Sequence, residues 1–102
     1  MKKLVVGGAI VALLSGSAFA HSAIMNCFDN GDGTITCEGG FSDGSSAMGV
    51  NFYVLQNGKK IHEAKFSEHN EVIFKKPEGD YEAVFFGGEG HEVKIKGSAI
   101  LE

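Results

Sequence analysis

After residue 20 the chain sustains no helical period. Apolar and polar positions alternate instead, in short runs cut by turn residues. That is the pattern of half-buried strands repeated along an all-β sandwich. It predicts strands over 23–28, 34–41, 50–56, 59–66, 71–75 and 81–86, with a last strand opening at His91. In the second run Ile35, Cys37 and Phe41 share one face, and Thr34, Thr36 and Glu38 share the other. Val50, Phe52 and Val54 are in phase, as are His91, Val93 and Ile95. The run 81–86 is almost continuously apolar, which predicts a central strand. Asn57-Gly58 reads as a two-residue hairpin turn. The pattern beyond Gly97 predicts no element. With no internal repeat and no linker, the expectation is one small all-β sandwich of about seven strands.

Residues 1–20 stand outside this pattern. Lys2 and Lys3 precede an apolar run from Leu4 to Leu14, and Ala18 and Ala20 fall at the −3 and −1 positions of a cut before His21. This is the layout of a secretory signal peptide. The apolar run is shorter than the ~20 residues a membrane span needs. No second such run follows, so no membrane span is expected after cleavage. The sequence thus divides into a signal peptide, 1–20, and a β-sandwich domain, 21–102, expected to be periplasmic or secreted.

Charge and cysteines narrow the picture. Residues 21–102 carry seven lysines, no arginine and 13 acids. That balance argues against nucleic acid and anionic membranes as partners. In an oxidising compartment Cys27 and Cys37 are expected to pair. A short loop at 31–33 would set them opposite each other on a hairpin. No second cysteine pair exists to suggest a zinc site.

Catalytic signals are missing. The serines lie in loops without a His-Asp partner pattern, and the acids are scattered, so no enzyme is expected. Asp29-Asn30-Gly31-Asp32-Gly33-Thr34 has the flavour of a calcium loop. Gly31 falls where the third-position ligand should stand, however, and no bidentate Glu follows at the twelfth. It reads as a turn.

The histidines carry the functional expectation. A cut after Ala20 would leave His21 with a free α-amine and an imidazole on one Cα, a chelate suited to nickel, cobalt or copper. The amine's reference pKa of about 7.7–8.0 leaves it partly deprotonated near neutrality. If first and last strands run side by side and parallel, His91 starts at the same end and closes the site. The competing reading has His91 capping the core, bonded to a backbone carbonyl. His62 and His69 are weaker candidates for a third ligand. Glu89 could add an oxygen or orient an imidazole.

Several short motifs sit around these residues. They are His21 itself, Gly40-Phe41-Ser42-Asp43-Gly44, Val54-Leu55-Gln56-Asn57-Gly58-Lys59, Phe74-Lys75-Lys76-Pro77-Glu78-Gly79-Asp80-Tyr81 and Gly88-Glu89-Gly90-His91. Together they resemble the small extracytoplasmic accessory domain of nickel and cobalt energy-coupling-factor transporters. They also resemble the wider carboxypeptidase-regulatory, prealbumin-like set of sandwiches. The resemblance implies a prealbumin- or immunoglobulin-like fold, a nickel or cobalt ion on His21 and His91, and a membrane metal-transporter complex as partner. The Cys27–Cys37 pair departs from that pattern, as does the lack of a C-terminal membrane helix expected of such proteins. Two alternatives stay open: a periplasmic copper carrier, to which Met25 could add a soft ligand, and a structural or docking module without metal.

Overall fold

Each alternating run folds as a strand. The computed structural model describes residues 22–102; residues 1–20, read above as a signal peptide, and His21 lie outside them. The strands are β1 (Ala23–Asp29), β2 (Thr34–Phe41), β3 (Asn51–Gln56), β4 (Lys59–Lys65), β5 (Glu71–Lys75), β6 (Glu82–Phe86) and β7 (Glu92–Lys96), followed by a 3-10 turn at Gly97–Ala99. They form two antiparallel sheets, ordered β1-β2-β5 and β4-β3-β6-β7. This is the small all-β sandwich that the alternation predicts. Among the described residues no helix is long and apolar enough to cross a membrane.

The inner faces supply the core. Phe52, Phe85, Ile35, Val54 and Cys37 are all 0% exposed. Five phenylalanines bind the sheets together. Phe66 packs on Phe52 at 5.7 Å and on Phe85 at 5.2 Å, while Phe41 meets Phe85 edge-on at 5.6 Å and Phe74 meets Phe52 at 5.4 Å. These offset and edge-on geometries are the favoured ones for aromatic pairs. Gly39 makes the packing possible. A Cβ there would lie 2.9 Å from both the Phe66 and Phe85 rings.

The apolar run 81–86 becomes β6, hydrogen-bonded to β3 on one side and β7 on the other. Ala83, Val84 and Phe85 are fully buried there, which is why no alternation is visible in that stretch. On β2, Thr36 is buried although it points away from the core. It lies in register between Phe28 and Ile73, and its hydroxyl accepts a hydrogen bond from Asn30 Nδ2 at 2.8 Å. The Asn57-Gly58 turn takes positive φ at both residues, 54° and 77°, as a primed hairpin turn requires. Beyond Gly97, where no element is predicted, the chain doubles back. Ile100 is buried in the core, and Asp29 N–H donates to the Leu101 carbonyl at 2.9 Å.

Cys27 and Cys37 stand directly opposite each other on β1 and β2 and form the expected disulfide, with Cα atoms 4.0 Å apart. Asn30 N–H donates to the Thr34 carbonyl on the same ladder. Alternating from there makes Cys27–Cys37 a non-hydrogen-bonded pair, where cross-strand side chains approach most closely. A disulfide belongs to an oxidising, extracytoplasmic setting.

Candidate functional site

β1 and β7 lie in different sheets yet touch along the flank of the sandwich. They run in the same direction. The start of β1 lies beside the end of β2: Ser42 N–H donates to the Ser22 carbonyl at 2.8 Å, and Ser22 N–H donates to Ser42 Oγ at 3.0 Å. The end of β1 meets the segment after β7, through Asp29 and Leu101. The parallel arrangement expected of first and last strands is therefore present, across sheets rather than within one.

His91 immediately precedes β7, half-buried, in phase with Val93 and Ile95. Its ring meets Phe41 edge-on at 6.0 Å. Phe41 precedes the Ser42 that holds Ser22. A shallow hollow of about 400 Å³, lined by Phe41, Ser45, Gly87 and His91, opens here. Loop geometry fixes the imidazole. His91 N–H donates to the Gly88 carbonyl at 2.9 Å, and Gly87 N–H donates to the His91 carbonyl at 2.9 Å. The ring's Nδ1 lies 3.2 Å from the Glu89 carbonyl oxygen. A carbonyl only accepts, so Nδ1 is the donor in that contact, and in the neutral ring this leaves the lone pair on Nε2. This contact satisfies the core-capping reading of His91. It also supplies the outer-sphere bond that commonly orients a metal-ligating imidazole.

The other sequence candidates fall elsewhere. The backbone of Glu89, not its carboxylate, contacts His91, and its side chain is exposed. His62 lies on β4, at the opposite edge of the sheet from β7. Three strand spacings, roughly 14 Å, separate these backbones. Its ring stacks on Phe74 at 6.3 Å. His69 lies in the turn before β5, exposed, 3.9 Å from the Glu68 carboxylate. His21 is outside the described residues. Among those described, no group of three or more His, Cys, Asp or Glu could hold a metal ion.

The acid-rich turns are occupied by their own hydrogen bonds. Asp32 Oδ1 accepts from the Thr34 N–H and hydroxyl at 3.0 and 2.6 Å, which hold its carboxyl below the usual range. Asp29 accepts from Lys76 Nζ at 2.8 Å and from Gly31 N–H at 2.8 Å. Lys76 foremost, then Gly31, lowers its pKa. Asp43 Oδ1 accepts from the Ser45 N–H and hydroxyl at 2.9 and 2.6 Å. These are Asx-type turns, as expected of a turn rather than a calcium loop.

The role of Ser42 as an anchor for Ser22 was not legible in the sequence, because the residue reads as one more polar loop position. No family model, curated protein or solved structure matches this chain.

Proposed function

We propose that this protein is an extracytoplasmic, non-enzymatic binder of a divalent transition metal, nickel or cobalt first, serving a membrane uptake complex. The chelate is the amine and imidazole of His21, exposed when the signal segment is removed, and His91 Nε2 closes it. One observation carries the reading. Ser22 is tied by two hydrogen bonds to Ser42, one residue from the Phe41 ring that packs on His91. The chain is thereby anchored one peptide bond from His21, at the His91 end of the sandwich. Two imidazoles and an amine suit the late first-row divalent ions. These groups bind deprotonated, so uptake releases protons and affinity falls with pH.

Calorimetric titration of the processed protein with Ni²⁺ tests this. One-site binding with proton release is expected, lost when one residue is added ahead of His21 and weakened by His91→Ala. Equal affinity with and without the added residue would sink the chelate. Cu²⁺ fits the same donors, and its electron paramagnetic resonance spectrum under Ni²⁺ competition ranks the two ions.

A further inference from the structure

The two outward faces of the sandwich differ. On the four-stranded sheet the outward positions mix lysines with acids, and Lys60 Nζ covers the Tyr53 ring at 4.3 Å. On the three-stranded sheet the outward positions sort by row. The register sets Asn26, Glu38 and Glu71 side by side across β1, β2 and β5. Phe28, Thr36 and Ile73 form the next row, and Thr34 and Lys75 belong to the one after. Phe28 is 38% and Ile73 59% exposed, and Ile24 on the same face is 44% exposed. Three of the six large exposed apolar side chains among the described residues thus stand on one narrow face.

The charges on this face lack counter-ions. Glu38 and Glu71 are direct cross-strand neighbours, and like charges so placed destabilise a sheet. Among the described residues neither forms an ion pair, and nor does Lys75. Glu71 and Lys75 stand four residues apart on an extended strand, roughly 13 Å, too far to pair with each other.

A two-fold axis removes the mismatch. Run along the Phe28–Thr36–Ile73 row, it lays that row on itself in a second copy and reverses the order of the rows on either side. Glu71 of each copy then faces Lys75 of the other, twice by symmetry. An axis parallel to the strands would stack the acidic row on the acidic row. We infer that a second copy of this chain packs on this face, as an isologous dimer with its axis along the Phe28–Thr36–Ile73 row. Three strands span roughly 14 Å, a footprint below the roughly 800 Å² per partner of a standard interface. The dimer is therefore weak, with a Kd above about 1 µM. Nothing in it depends on the metal reading.

Sedimentation equilibrium of the processed protein, carried to millimolar concentration, tests the inference. A monomer–dimer equilibrium is expected. Ile73→Asp should abolish it. Glu71→Lys sets lysine on lysine across the axis and Lys75→Glu sets acid on acid, so each should weaken self-association at least about tenfold. Mixed one to one, these two proteins should associate with the natural affinity, because every facing pair is again a lysine and a glutamate. Lys94→Glu and Glu82→Lys, on the other sheet, make the same changes in net charge and should leave the affinity unchanged. Far-UV circular dichroism reports whether each variant folds. If one does not, amide shifts of the natural protein that move with concentration should map to β1, β2 and β5 and spare β7. Monomer alone at millimolar concentration, a folded Ile73→Asp protein that still dimerises, or no recovery in the mixture would each overturn the proposal. So would concentration-dependent shifts confined to the four-stranded sheet.

Discussion

Cutting the Cys27–Cys37 bridge should cost this domain much of its stability. The two residues are ten apart in sequence. Closing a loop of that size removes about 3 kcal/mol of chain entropy from the unfolded state in the loop-closure model. Natural domains are stable by roughly 0.05–0.15 kcal/mol per residue, so a domain of this length has about 4–12 kcal/mol in total. For its size each kcal/mol moves Tm by about 4–8 °C, so reduction should lower Tm by about 12–24 °C. Cys37 is fully buried, and replacing both cysteines by alanine also removes packed sulfur. Reduced natural protein keeps both sulfurs and isolates the cross-link, and Cys27→Ala/Cys37→Ala should melt lower still. Calorimetric melts with and without reductant measure the difference. A reduced protein melting within about 4 °C of the oxidised one would refute the loop-entropy reasoning, and would mean that hairpin pairing already restricts the unfolded chain.

Three further perturbations probe other parts of the structure. Gly39→Ala places a methyl 2.9 Å from the Phe66 and Phe85 rings and should destabilise by about 1–3 kcal/mol, read by urea unfolding. Asn70 holds positive φ at 63°, and its Oδ1 accepts from Ser46 Oγ at 2.7 Å and Ala47 N–H at 2.8 Å; Asn70→Ala should cost about 1–3 kcal/mol, and Asn70→Gly should recover only the backbone part. The Asp29 carboxyl is held below its ordinary value by Lys76 and the Gly31 N–H, so its contribution is present above the unfolded carboxyl range of about 4 and is lost as pH falls through the lower folded value. Asp29→Asn should therefore flatten the acid limb of a stability–pH curve.

Local alternation was enough to place most of the strands, because an inner face has to be apolar at every second residue; β4, exposed except at Ala64, and β6, buried without alternation, are instead marked by the turns that flank them. Even the Cys27–Cys37 register follows from the turn length between them. What alternation could not show is contact made by isolated residues. Ile100 is buried while its neighbour Leu101 is exposed, a difference that depends on where β7 delivers the chain. Thr36 breaks the rule that outward positions are exposed, because its shelter comes from Phe28 and Ile73 on neighbouring strands. The candidate site is legible in the same partial way. His91 and its phase can be read directly. The Ser22–Ser42 anchor comes from two loops 20 residues apart, and no local pattern encodes it. His62 shows the converse: as a histidine it suggests a ligand, while the sheet order sets it on the far edge from His91.

The metal proposal makes a prediction that the fold sharpens. Among the described residues the buried core contains no histidine or carboxylate, and the hairpin beneath the site is locked by a disulfide. Folding should therefore proceed without the metal, in contrast to small zinc domains whose binding energy is their folding energy. Nickel should leave the far-UV circular dichroism unchanged and act on Tm by mass action alone. At a free concentration one hundred times Kd that amounts to about 2.7 kcal/mol, or a rise of about 11–22 °C for a domain of this size. The rise should vanish when one residue precedes His21 and shrink with His91→Ala, while His62→Ala and His69→Ala leave it intact. A chelator that unfolds the protein would contradict the independence of fold and metal. An extended chain that gains as much as the processed one would contradict the chelate. The two failures are distinguishable because the first appears without added nickel and the second only with it.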